Sequence, residues 1–157
     1  MSPTDCSKGE HGPIGSWDVS AVTDMRFLFV DKNYKLVPGA DKFNVDISKW
    51  DVSRVTNMKH MFFKATSFNS DISKWVVSKV ANMLGMFGHA ASFNGDLSKW
   101  DVSSVTNMKY MFKGATSFAQ TLCGTRWTKS KADKQDMFVS SKGKIGSTSS
   151  GCGTCKQ

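Results

Sequence analysis

The sequence lacks any run of 18 consecutive apolar residues, so no segment is long enough to cross a membrane as a helix. Its opening residues, MSPTDCSKGEHG, contain no apolar stretch and do not form a signal peptide. We therefore expect either that a signal was removed from this chain or that the protein stays inside the cell. No Ser/His/Asp or Cys/His arrangement emerges, and His60 and His89 have no companions at ligand spacing. These absences predict surface histidines, no catalytic residues, no metal site and no cofactor.

Cysteine is scarce and is missing from the repeated part of the chain. The four cysteines flank that part, where an open core needs closing: Cys6, Cys123, Cys152 and Cys155. We favour structural disulfides formed in an oxidising compartment, although four cysteines allow three full pairings and the sequence does not choose among them. Free thiols, a zinc site and a redox pair remain alternatives. Cys152-x-x-Cys155 has the spacing of zinc ligands, but a second C-x-x-C is missing and no βαβ context surrounds it.

Acidic residues are outnumbered, with 13 Asp or Glu against 21 Lys or Arg and a net charge of +8. The excess is uneven, because the segment from Ala119 onward holds seven basic and two acidic residues. A nucleic-acid-binding domain usually carries its basic face on the folded body rather than in a tail. We therefore predict a solvated basic tail and no nucleic-acid partner.

What the sequence does contain is a repeat. SKWDVSRVTNMKHMF starts at Ser48, SKWVVSKVANMLGMF at Ser73 and SKWDVSSVTNMKYMF at Ser98, so the copies lie 25 residues apart. We number the copies by their tryptophans, which are Trp17, Trp50, Trp75, Trp100 and, in a degenerate fifth copy, Trp127. A period of 25 residues is typical of a solenoid, because a propeller blade needs roughly 40 residues.

The apolar spacing inside one copy predicts its secondary structure. Ile47, Trp50 and Val52 follow the L-x-x-L-x-L pattern of leucine-rich repeats and suit a short strand. Val55, Met58 and Met61 recur at helical spacing, which also marks the methionines as core rather than as soft metal ligands. We predict an α/β, right-handed, leucine-rich-repeat-like solenoid of about four to five coils. Each coil would contain a short strand, a short helix and a return loop.

The repeat also divides the chain. We predict an N-terminal extension over residues 1–15 and a repeat solenoid over residues 16–139. Within the solenoid, residues 30–42 form an inserted loop and a degenerate cap begins at residue 119. Residues 140–157 form a tail rich in Ser, Gly and Cys, which we expect to be flexible or held only by cysteines.

The consensus F-N-x-D-[IL]-S-x-W-D-V-S-x-V-T-N-M-x-x-M-F-x-x-A-x-x-F resembles the BspA-like leucine-rich repeat, also described as a mycoplasma lipoprotein-associated repeat. The match runs from Phe43 to Phe118 and is recognisable from Trp17. The resemblance implies a cell-surface or secreted protein of the kind found in bacteria and protists, with roles in adhesion and protein–protein contact. It implies no conserved catalytic residues, and it leaves the ligand to variable positions.

The outward-facing positions of the predicted strands form the candidate ligand-binding surface. They are Lys49, Asp51, Arg54, Lys74, Val76, Lys79, Lys99 and Asp101. In the third copy Val76 replaces the aspartate, which would leave a small cationic spot with an apolar centre; drift at a surface position explains the change equally well. A second variable surface would hold two further columns: Lys59, Leu84 and Lys109, and beside them His60, Gly85 and Tyr110. The aspartates before each [IL]SKW, namely Asp46, Asp71 and Asp96, could bind Ca²⁺ as a column, but a role in local turns is favoured.

Two functions are compatible with these patterns. The first is a non-enzymatic recognition or adhesion module that binds a protein or glycan, located outside the cell or on its surface. The alternative is a structural subunit or spacer in a larger, possibly intracellular, assembly.

Overall fold

The computed structural model describes residues 12–146 and contains very little regular secondary structure. Strands β1 (Thr121–Leu122) and β2 (Lys144–Ile145) form one parallel pair, with Thr121 opposite Lys144. The α-helix α1 spans Thr125–Thr128, and two short 3-10 helices span Ile14–Ser16 and Ala40–Lys42. Among these residues, no helix is long and apolar enough to cross a membrane.

The predicted α/β leucine-rich-repeat-like solenoid is wrong. Residues 43–118, which hold the three closest copies, contain turns and single bridges but neither a strand nor a helix. The segment Trp50–Val52, predicted as a strand, pairs with no other strand. The segment predicted as a helix places its apolar groups at helical spacing, yet it is a series of β-turns. Each turn is closed by a hydrogen bond between residues three apart, and several of these pairs are both apolar, which imitates that spacing.

Backbone hydrogen bonding within one copy alternates between two directions. In the second copy Met61, Phe63 and Ala65 each donate their N–H to the carbonyl three residues earlier. The alternate residues donate to the third copy instead: His60 to Leu84, Phe62 to Met86 and Lys64 to Gly88, at 2.8–2.9 Å. An α-helix would need all of these donors for its own carbonyls, so the bonds between copies exclude it.

Two positions in each of the second to fifth copies adopt a left-handed backbone that a helix cannot contain. At the first position φ is 54° at His60, 58° at Gly85 and 57° at Tyr110. The second position lies four residues later, as at Lys64 and His89. Each is the third residue of a hydrogen-bonded turn, where a type II turn requires positive φ.

Equivalent residues of neighbouring copies lie side by side. Single parallel bridges join one residue of each copy to the next: Asp24 to Asn57, Asn57 to Asn82, Asn82 to Asn107 and Asn107 to Asp133. The side-chain oxygen of each accepts the N–H two residues later in its own copy, as Asn57 does from Lys59 at 3.1 Å. Asn57, Asn82 and Asn107 therefore form a column in which each side chain bonds to the backbone of its own copy.

A single hydrophobic core runs through all the copies. The methionines that we predicted as core are buried completely: Met58, Met61, Met83, Met86, Met108 and Met111. Phenylalanines stack in two columns; in the first, the rings of Phe62 and Phe87 lie 5.6 Å apart and those of Phe87 and Phe112 5.5 Å apart. Equivalent phenylalanine rings of neighbouring copies in this column are thus 5.5–5.6 Å apart.

The tryptophans of the second to fifth copies each bond to the backbone that precedes their own copy by about one repeat. The indole N–H of Trp75 donates to the carbonyl of Ile47 at 3.2 Å, and Trp100 donates to Ile72 at 3.1 Å. The same bond recurs at both ends of the repeat region. Trp50 donates to Ile14, which lies within the predicted N-terminal extension, and Trp127 of the degenerate copy donates to Leu97.

Histidines of one copy pack onto glycines of the next. The imidazole of His60 fills the space where a side chain of residue 85 would lie, and His89 does the same at Gly114. The inserted loop joins the first of these contacts, because the ring of Tyr34 lies edge-on to His60 at 5.2 Å. The loop itself is closed by an antiparallel bridge between Val30 and Leu36.

Candidate ligand-binding groove

The aspartates of the predicted ligand surface are engaged in local turns. The carboxylate of Asp51 accepts the N–H of Ser53 at 3.0 Å, and that of Asp101 accepts both the N–H and the hydroxyl of Ser103. These bonds from the serines lower the pKa of both carboxyls. Asp18 makes the same turn in the first copy with Ser20. At this position the aspartate therefore serves to accept the local turn bond from the serine two residues later.

The second aspartate column has the same role. Asp46, Asp71 and Asp96 each accept the N–H of the serine two residues later at 2.9 Å. The favoured prediction of a turn role is confirmed. Within residues 12–146 no group of three or more His, Cys, Asp or Glu is placed to hold a metal ion.

Val76 breaks the turn pattern in the third copy. It stands where the other copies have Asp18, Asp51 and Asp101, and its side chain provides no acceptor for the N–H of the serine two residues later. It is also 58% exposed, the highest value among the large exposed hydrophobic residues of the described chain. The third copy has thus lost a polar turn contact and gained an apolar group in water.

A groove of about 510 Å³ surrounds Val76. Lys74 and Lys99 lie on it from neighbouring copies, and Arg126 reaches it from α1. Arg126 is held towards the groove by Asp101, with Nε of the arginine 3.4 Å from a carboxylate oxygen. The arginine side chain stays 58% exposed, so its remaining donors are available to a ligand.

The structure brings together only half of the predicted surface residues. Lys74, Val76, Lys99 and Asp101 line the groove. The other four are exposed but lie outside it: Lys49, Asp51, Arg54 and Lys79. Sequence reasoning missed Arg126, although it counted that residue in the basic C-terminal part, because no repeat spacing relates it to the groove.

A second groove of about 610 Å³ adjoins the first through Arg126. Its basic residues are Arg126, Lys129 and Lys131, and no carboxylate lines it. Hydroxyl groups make up most of the rest of its lining: Ser103, Ser104, Thr106, Thr125 and Ser130. The side chains of this groove can donate hydrogen bonds and positive charge, and none of them carries a negative charge.

His60 is not the surface residue that we predicted. Only 6% of it is exposed, and its Nδ1 is buried without a hydrogen-bond partner among the described residues. Its ring packs 5.3 Å from Phe27 and 4.9 Å from Phe63. Burial, together with the positive charge of Lys59, lowers the pKa of His60 to about 4. The histidine is therefore neutral at pH 7.

His89 is exposed, in agreement with the prediction. Partial burial, and then the charges of Lys113 and Lys64, lower its pKa. The predicted second variable surface is thus divided, since His60 is buried whereas Lys59 and Leu84 are partly exposed.

Of the four cysteines, only Cys123 lies in the described part of the chain. It is disulfide-bonded and almost completely buried. The predicted roles of Cys6, Cys152 and Cys155 fall on residues outside the described range, and so does most of the predicted tail over residues 140–157.

Comparison with known proteins identifies the family but no activity. The chain matches no curated protein and no solved structure. The model of one family, described as Mycoplasma protein of unknown function, DUF285, matches residues 33–149, which is most of the chain and includes the second to fifth copies. The chain therefore belongs to the DUF285 family of Mycoplasma proteins of unknown function.

Proposed function

We propose that this chain is a non-enzymatic recognition module that binds a protein or glycan through the groove around Val76. The observation that carries the proposal is the exchange of a turn-forming aspartate for an exposed valine in one copy only. Stability alone favours aspartate here, since three other copies use it to accept a serine N–H. An apolar group ringed by Lys74, Lys99 and Arg126 is suited to contact a ligand.

Two further observations support this proposal. The repeat resembles that of BspA-like surface proteins. We propose that the chain is related to that group through its sequence motif, although it does not share the leucine-rich fold. The disulfide at Cys123 favours an oxidising compartment, and so a location outside the cell or on its surface.

Binding to arrays of glycans and of purified extracellular-matrix proteins tests the proposal. Val76→Asp restores the turn acceptor and removes the apolar group, so we expect ligand affinity to fall at least tenfold. Val139→Asp is the matched control, because Val139 is also exposed (43%) and does not line the groove. Equal affinities of the wild type and Val76→Asp for every ligand found would refute the groove as the binding site.

The charges around Val76 provide an independent variant. Lys74→Glu combined with Lys79→Glu reverses two cations of the predicted surface, of which only Lys74 lines the groove. We therefore expect most of any loss to be reproduced by Lys74→Glu alone. A loss carried by Lys79→Glu alone would move the site outside the groove.

One observation favours the alternative of a structural subunit. Asn57, Asn82 and Asn107 each bridge two neighbouring copies, whereas Asp24 and Asp133 bridge only one among the described residues. Stacking of further material on either end copy would make the chain part of a larger assembly. Analytical ultracentrifugation of the full chain separates the two functions, because a recognition module stays monomeric without its ligand.

A further inference from the structure

We propose that the ligand is an acidic polysaccharide that lies along both grooves and crosses from one to the other over Arg126. This inference rests on the proposed recognition function and adds the ligand's chemical class and its path. The path starts at Lys74 in the third copy and ends at Lys129 and Lys131 beyond the fourth copy.

The charge of the two grooves is strongly one-sided. Five cationic side chains line them against a single carboxylate: Lys74, Lys99, Arg126, Lys129 and Lys131 against Asp101. That carboxylate is already engaged by Ser103 and Arg126. The ion pair to Arg126 is exposed and weak, so an incoming sulfate or carboxylate can compete for the guanidinium.

The uncharged part of the lining favours a sugar over a protein segment. Five hydroxyl side chains line the second groove and can bond to sugar hydroxyls. Val76 is the only exposed large apolar side chain in either groove. The centre of a protein interface is usually richer in aromatic and apolar groups than this.

The same lining disfavours a nucleic acid. Single strands bind largely by stacking bases on exposed aromatic rings. Trp75 is the only aromatic residue that lines either groove, and only 5% of it is exposed. The grooves thus provide cations and hydroxyls but no stacking platform.

The stacking of copies sets the spacing of two of the five cations, Lys74 and Lys99. Lys74 and Lys99 occupy the same position in the third and fourth copies, and Trp50 and Trp75, which follow the equivalent lysines of the second and third copies, stack at 6.5 Å. A polymer with a charge on successive sugars can therefore contact several cations at once, and each added contact strengthens binding without a new site.

Titration of the full chain with fluorescent dextran sulfate and with polygalacturonate tests the inference, with neutral dextran as the uncharged control. We expect both acidic polymers to bind and neutral dextran not to bind. The double variant Lys129→Glu, Lys131→Glu should weaken binding at least tenfold. The control Lys32→Glu, Lys35→Glu makes the same charge change on exposed lysines of the inserted loop and should change the affinity less than twofold.

Three results would overturn the inference: no binding of either acidic polymer, equal losses in the groove and control variants, or equal affinity for polyglutamate or oligo(dT). The last result would show that any polyanion binds. The inference and the proposed function fail separately. If Val76→Asp weakens binding of a protein or neutral glycan while Lys129→Glu, Lys131→Glu does not, the groove stands and the acidic ligand falls. If neither variant affects any ligand, both fall.

Discussion

The imidazole of His60 occupies the volume that a side chain on Gly85 would need. A β-carbon built on Gly85 overlaps Nδ1 and Cε1 of His60, and the glycine has a φ of 58°. The two residues hold equivalent positions in neighbouring copies, 25 residues apart. One copy can place a ring at this position only because the next copy has no side chain there.

Gly85→Ala should therefore destabilise the protein by two effects at once. The left-handed backbone costs about 1 kcal/mol for alanine, and displacement of the His60 ring adds roughly 1–3 kcal/mol. We expect a total loss of about 2–4 kcal/mol in the free energy of unfolding, measured by urea denaturation. Gly12→Ala is the control, because Gly12 also has positive φ but a β-carbon there meets nothing within 4 Å. Equal losses in both variants would show that the His60 contact costs nothing.

Acidification should destabilise the protein through His60. The folded-state pKa of about 4 lies below the ordinary value of 6.5, so the unfolded chain binds a proton that the folded chain excludes. The contribution of His60 to stability should thus be complete above pH 6.5 and decline as the pH falls towards 4, by a total on the order of 3 kcal/mol. Urea denaturation between pH 4.5 and 7.5 measures this slope.

His60→Asn should flatten most of that slope, since asparagine tolerates positive φ and does not titrate in this range. His89→Asn is the matched control, because the pKa of His89 is also lowered but its ring is exposed. If the pH dependence of stability persists in His60→Asn but disappears in His89→Asn, the residue responsible is His89 and not His60.

Val76→Asp should stabilise the protein even as it weakens ligand binding. The new carboxylate would accept the N–H of Ser78, as Asp51 accepts that of Ser53 at 3.0 Å. We expect a rise in Tm of about 1–3 °C, which corresponds to a single exposed hydrogen bond in a chain of this size. The reverse change, Asp51→Val, should lower Tm. A Val76→Asp variant with a lower Tm would remove the argument that valine is kept at the expense of stability.

Trp75→Phe should be far more costly than the same change at Trp17. Trp75 is 5% exposed and its indole N–H satisfies the carbonyl of Ile47, so phenylalanine leaves a cavity and a buried carbonyl without its donor. We expect a loss of about 2–4 kcal/mol in the free energy of unfolding. Trp17 is 39% exposed and its bond to the Gly12 carbonyl is long at 3.4 Å, so the loss there should stay below about 1 kcal/mol. Similar losses at both sites would contradict a structural role for the indole N–H bonds between neighbouring copies.

The sequence predicted the positions of the core far better than the conformation that buries them. Periodicity identified Trp50, Met58 and Met61 as inward-facing, and all three are buried. It assigned a strand and a helix to them because consecutive turns and a helix both place apolar residues three or four apart. Distinguishing the two requires the direction of the N–H of His60, which depends on the next copy rather than on local sequence.

Repeat spacing predicted Lys74, Lys99 and Asp101 of the groove, and a departure from the repeat singled out Val76. Val76 stood out because three other copies have aspartate at its position. Arg126 and Lys129 could not be placed, since the cap that carries them follows no 25-residue spacing. The burial of His60 was missed because the signal for it, Gly85, lies in another copy and is visible only once neighbouring copies are aligned.

Near-identical copies carry a hazard during folding, because the second copy could dock on the fourth and leave out the third. The histidine–glycine contacts oppose that error. His60 fits against Gly85, whereas the fourth copy has Tyr110 at the same position; likewise His89 of the third copy fits against Gly114 of the fourth, whereas the degenerate copy has Ser140 there. Each histidine–glycine pair therefore favours contact between the correct neighbouring copies. The few positions at which the copies differ thus determine the order in which they stack.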